Sequence, residues 1–239
     1  SSRFFFDMEL NKVSFETGVA TYSMFYDQEP YKVNNSYSQT QYFLTGYWKL
    51  APKTKLFLEY DQSTQEYTKA ETTTKNSDAR VYWTGIVGKI SPKISGLAKI
   101  GYQTVDYVSG TGTNTNTLLV NLDYKRSRTL KFNLQAQMQS ASSASSGEST
   151  SDVSTWRISA NYLPPFNKKL EFGLSFLYIN TTYTSSRVDE YYKWSLSGSY
   201  LFRKWWKIRA GYELIERVST RSTLDYEQNR LFCESFMEY

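Results

Sequence analysis

A two-residue alternation running from Leu130 to Gln139 constrains this chain more than any other feature. Leu130, Phe132, Leu134, Ala136 and Met138 fall on one side, and Lys131, Asn133, Gln135, Gln137 and Gln139 on the other. Side chains alternate between faces in this way only along a β-strand; a helix returns to the same face about every 3.6 residues. The stretch therefore predicts a strand with one apolar and one polar face.

The same period recurs along the chain. Leu170, Phe172, Leu174, Phe176 and Tyr178 form one apolar face. Tyr192, Trp194, Leu196, Gly198, Tyr200 and Phe202 form another, opposite Lys193, Ser195, Ser197 and Ser199. Leu118, Val120, Leu122 and Tyr124, and Tyr42, Leu44, Gly46, Trp48 and Leu50, complete the clearest set. Short connections at 51–54, 91–93, 125–128, 164–168 and 203–204 carry four of the five prolines, placed where a missing N–H costs nothing. Long polar connections at 27–35, 62–77, 109–116, 140–152, 181–190 and 218–227 alternate with them, and Ser140–Ser151 is low in complexity. Counting from residue 12, the rhythm gives about twelve strands, with short turns on one side and long loops on the other.

Residues 1–11 fit the count less directly. Phe4, Phe6, Met8 and Leu10 alternate with Arg3, Phe5, Asp7 and Glu9. The segment reads as an extra strand, as part of one long bent strand over residues 1–26, as a periplasmic lead-in, or as a sign that the chain is a piece of a larger barrel. Ser1 reads as a mature or trimmed N-terminus, since no signal peptide precedes it. Residues 12–239 read as one domain.

Two architectures use such strands: a soluble sandwich or small barrel, and a transmembrane barrel. Mean hydropathy is negative, and no apolar run approaches the roughly 18 residues of a membrane helix. Neither fact excludes barrel strands, whose alternation averages out to polar. A dozen large aromatic faces would overfill a small soluble interior, whereas in a membrane they meet lipid. Aromatics make up 17% of the chain, enough to supply a girdle at each interface. Trp48, Trp205 and Trp206 fall near short turns, and Tyr82, Trp83 and Trp156 near long loops. The fold expected is all-β: an antiparallel up-and-down transmembrane β-barrel.

Catalytic chemistry finds little support. With no histidine, His-dependent triads and His metal sites are excluded. Glu59 and Asp61 share a strand face, but spacing alone makes them solvated carboxylates, and Asp189, Glu190 and Glu213 read the same way. The single cysteine, Cys233, alternates with Leu231 and Met237 and reads as an inert lipid-facing thiol. The net charge of +5 is spread along the chain without a basic stripe, so no nucleic-acid face is expected. Neither cofactor nor metal is expected.

The remaining chemistry is on the polar faces, read as a lumen. Lys99, Gln103, Lys131, Gln135, Lys193, Lys207, Arg209, Glu213, Arg230 and Glu234 fall there by alternation. Both signs and several amides suit a hydrated passage, and the excess of cations predicts a weak preference for anions. About twelve strands give a bore narrower than that of open porins.

Leu224–Phe232 resembles the closing strand of the outer-membrane β-barrel porins associated with exopolysaccharide export in Gram-negative bacteria. The unit Ser95–Tyr102, a Lys-rich turn leading into an alternating strand, resembles them too, over roughly residues 40–239. Tyr239 stands where a terminal Phe is commoner in that family, and an aromatic end still resembles the signal read by the barrel-assembly machinery. The resemblance implies an outer-membrane location and a passive conduit, with outer-membrane lipid, the assembly machinery and other envelope or secretion components as partners. Two functions follow: a porin-like channel for small polar or saccharide solutes, or a non-conducting barrel that anchors a larger envelope complex.

Overall fold

The computed structural model describes residues 2–25, 36–67, 76–108, 112–142, 150–183 and 186–237. They form thirteen strands: β1 Ser2–Leu10, β2 Val13–Met24, β3 Tyr37–Ala51, β4 Thr54–Tyr67, β5 Ser77–Gly88, β6 Ile94–Tyr107 and β7 Thr113–Lys125. The series continues with β8 Leu130–Ser142, β9 Thr150–Tyr162, β10 Leu170–Tyr183, β11 Val188–Arg203, β12 Trp206–Ser219 and β13 Tyr226–Met237. Strand order follows chain order from β1 to β13, the topology of an up-and-down meander. The twelve strands expected from residue 12 onward are β2 to β13. The N-terminal alternation adds a thirteenth, because Phe4, Phe6, Met8 and Leu10 pair with Val19, Thr17, Phe15 and Val13 of β2.

Short turns fall where expected. Pro52 and Lys53 alone separate β3 from β4, and a register shift at Lys49/Ala51 marks that turn. Between strand ends, five of the six long connections are shorter than the sequence predicts, the exception being that between β2 and β3. β4 runs on to Tyr67 and β10 to Tyr183, because Ser, Thr and Gln sustain a ladder as well as a loop. A 3-10 turn at Ser222–Leu224 occupies the connection before β13. Of the expected connections, all of 27–35 and residues 68–75, 109–111, 143–149 and 184–185 lie outside the described residues, as does Tyr239.

Two compact units divide the strands. One comprises Ser1–Ile90, Leu97–Leu119 and Met138–Asp152; the other comprises Ser91–Gly96, Val120–Gln137 and Val153–Tyr239. Within each, burial is inverted relative to a water-soluble protein. In the first unit Thr45 is 2% exposed while Leu58 is 69% exposed; in the second Ser195 is 7% exposed and Leu196 58%. Small polar side chains are covered and large apolar ones are bare. A soluble fold would lose its main driving force by such an arrangement. A bilayer reverses the account, since the bare face is then in hydrocarbon and the ladder satisfies every backbone group inside the sheet.

Among the described residues, each unit has one glycine at a backbone position that L side chains avoid. Gly88 (φ 115°) lies so close to the β3–β4 turn that a Cβ would sit 2.1 Å from the Lys53 carbonyl oxygen. Gly96 (φ 144°) places a Cβ 2.0 Å from that of Asn121. Only a residue without a side chain permits either approach.

Candidate functional site

Register assigns every side chain of the paired strands to one face. In the first unit, Leu44 pairs with Tyr60 and Gly46 with Leu58 on the bare apolar face. Phe43 pairs with Asp61, Thr45 with Glu59 and Tyr47 with Phe57 on the polar face. Across β5, Glu59 pairs with Trp83. Lys99 of β6 reaches over β5 to make an ion pair with Glu59, and its ammonium lies 4.2 Å from the Trp83 ring centroid. The Gln41 amide donates to Asp61 at 3.5 Å. Farther along, Lys55 sits 5.3 Å from the Tyr47 ring, whose hydroxyl donates to Glu16 at 3.4 Å. Gln103 grips the Ser140 backbone at both ends, donating to its carbonyl and accepting from its N–H, each at 3.2 Å.

The polar face of the second unit is denser in charge. Glu213 of β12 accepts from Lys193 of β11 at 2.7 Å and lies 4.0 Å from Arg230 of β13. Lys207 pairs with Glu171 at 2.9 Å, and Arg209 with Glu234 at 3.9 Å. Asn133 of β8 donates to Asn121 at 3.1 Å and to Asp123 at 3.0 Å. At the loop end, buried Asp189 accepts from Arg187 and Ser219 and from Arg217 at 2.8 Å. Asp225 in turn accepts the Ser219 N–H at 2.6 Å. This cluster ties the β10–β11 connection to the β12–β13 connection.

Lys99 and Gln103 thus share the first unit's polar face. Lys193, Lys207, Arg209, Glu213, Arg230 and Glu234 share the second's. Lys131 and Gln135 fall on the same side of β8 as Asn133, which bonds Asn121 and Asp123. Alternation missed partners on the same faces. Glu59 and Glu171 neutralise Lys99 and Lys207, and Asp189, read as a solvated carboxylate, is covered and clamped. Six cations against two carboxylates thus become six against four, which halves the expected excess, with Lys193 and Arg230 sharing Glu213. Glu171 was visible in sequence, alternating with Leu170 and Phe172; the pairing of Glu59 with Lys99 was not.

Trp48, Tyr82 and Trp156 are exposed on the apolar face, and Trp206 stacks on Phe202 with ring centroids 4.9 Å apart. Trp205 is exposed in the β11–β12 turn, outside the strands. Trp83 is a correction. Adjacent residues on a strand point opposite ways, so Tyr82 faces outward and Trp83 lies under Lys99 on the polar face.

Residues 3–237 match the family described as "Putative beta-barrel porin 2". The chain belongs to this family. Among solved structures it is similar to the ferric yersiniabactin uptake receptor FyuA from Yersinia pestis, at 7% identity and a TM-score of 0.53, over 91% of this chain and 42% of that one. It thus spans less than half the length of that receptor, and the likeness is one of fold. A similarity to the outer membrane channel DcaP of Acinetobacter baumannii covers 98% of this chain and 84% of that one, at 12% identity and a TM-score of 0.48. No curated protein matches the sequence. Family and receptor agree with the inverted burial: the sheet is that of an outer-membrane β-barrel.

Proposed function

We propose that this chain acts as a passive, porin-like channel for small polar or saccharide solutes in the outer membrane of a Gram-negative bacterium. The observation that carries the reading is the opposition of faces. One side of the strands is bare leucine, phenylalanine and tryptophan; the other holds hydroxyls, amides and paired charges. Ionic groups that neutralise one another along a wall keep it wetted without trapping a single ion, which a passive conduit requires. The role is non-catalytic, in keeping with a porin family. Association with exopolysaccharide export rests on the resemblance of Leu224–Phe232 and Ser95–Tyr102, and the partners proposed are outer-membrane lipid, the barrel-assembly machinery and other envelope components.

Conductance in planar bilayers tests the reading. The purified full chain is expected to give discrete, steady current steps. Electrical silence, with fixed envelope proteins co-purifying, would instead favour the anchoring role.

A further inference from the structure

The polar face of the second unit contains a hollow of about 370 Å³, the size of a small-molecule site. Its floor is low because Gly173, Ser175, Ser195 and Ser197 are small. Around it stand Arg157, Lys193, Arg209 and Glu213, three cations against one carboxylate. Their circumstances differ. Lys193 is held by Glu213 at 2.7 Å, and Arg209 lies 3.9 Å from Glu234 and 3.4 Å from the Ser197 hydroxyl. Arg157 of β9 has no carboxylate within 4.0 Å and no hydrogen-bond partner among the described residues. An exposed guanidinium with five donors, fixed on a strand beside a row of hydroxyls, is a standing receptor for a carboxylate.

We infer that this hollow is a binding subsite for a small polyhydroxylated carboxylate of the sugar-acid class, with Arg157 taking the carboxylate and the serine floor and Glu213 taking the hydroxyls. This inference rests on the channel reading for its purpose. One unpaired cation matches one negative charge, which favours a monoanion. Serine hydroxyls both donate and accept, and the Glu213 carboxylate accepts, so solute hydroxyls find partners of either kind. A neutral sugar would leave Arg157 unanswered, and a hydroxyl-free dicarboxylate would leave the serines unanswered.

Calorimetric titration of the detergent-solubilised full chain tests the site independently of conductance, so an electrically silent protein can still bind and a conducting one can fail to. D-galacturonate is expected to bind saturably, and more tightly than D-galactose or glutarate. Arg157→Gln should weaken galacturonate by about tenfold to a hundredfold, the worth of a charged hydrogen-bonded contact. Arg157→Lys should fall between, since it keeps the charge and loses the fork. Galactose should bind both variants and the native chain alike, which also reports that the variants are folded. Three results would each overturn the inference: no saturable galacturonate binding, equal binding by Arg157→Gln and the native chain, or tighter binding of galactose or glutarate.

Discussion

Leu196→Arg separates a lipid face from a wet one more sharply than any other substitution. Leu196 lies mid-way along β11, between Leu174 of β10 and Tyr212 of β12, with 58% of its surface bare. If that face were in water, an exposed leucine could be exchanged for arginine within about 0.5 kcal/mol. In a bilayer the same position is near the midplane, where arginine costs about 2–4 kcal/mol. The folding equilibrium would then shift by roughly thirtyfold to nearly a thousandfold. Ser199→Arg provides the contrast. It is three residues along the same strand but on the polar face, opposite Glu171 and Arg209. A new guanidinium there gains one carboxylate and meets one like charge, so it should change stability by less than about 1 kcal/mol. Leu50→Arg, one residue from the end of β3, should cost about 0–1 kcal/mol, because the penalty falls off toward the interface.

The assay is urea titration of the protein folded into phosphatidylcholine vesicles, followed by tryptophan fluorescence. The expected order of cost is Leu196→Arg far above both of the others. A Leu196→Arg protein within 0.5 kcal/mol of the native chain, or a Ser199→Arg protein equally damaged, would refute the assignment of faces.

Lys99→Met leaves Glu59 covered and unpaired beside Asp61 and should cost about 1–3 kcal/mol; the double variant with Glu59→Gln should recover much of it, and strict additivity in the same titration would argue against the pair. On intact cells, with Cys233 first replaced by Ser, an impermeant thiol reagent should label Arg221→Cys in a long connection but reach Lys93→Cys in a short turn only after permeabilisation; the reverse pattern would invert the orientation.

The faces were legible in sequence because a strand's period is local. Leu130 to Gln139 shows its two sides without reference to any other strand, and the same holds for β10 and β11. Strand ends were less legible. Gln62–Tyr67 reads as loop by composition, yet Thr64 of that stretch pairs with Asp78 of β5 and its hydroxyl donates to the Asp78 carboxylate at 2.6 Å. Only the neighbour's register decides such a case.

Charge on the polar face depends on register most of all. Lys99 and Glu59 are separated by 40 residues, with β5 between their strands, so their pairing has no local signal. What permits it is an absence on the intervening strand. A Cβ on Gly85 would fall 2.7 Å from that of Lys99 and 2.8 Å from the Phe57 ring, so this glycine leaves the space in which the lysine lies down toward β4. A side chain there would lift Lys99 off the wall and free one cation and one carboxylate into the passage. A slip of one residue in any one strand would do as much, by turning its charges to the other face. Counting cations along the chain therefore overstates the fixed charge a permeating solute meets. The structure concentrates what is left where a cation was given no partner, and Arg157 in its serine-floored hollow is such a place.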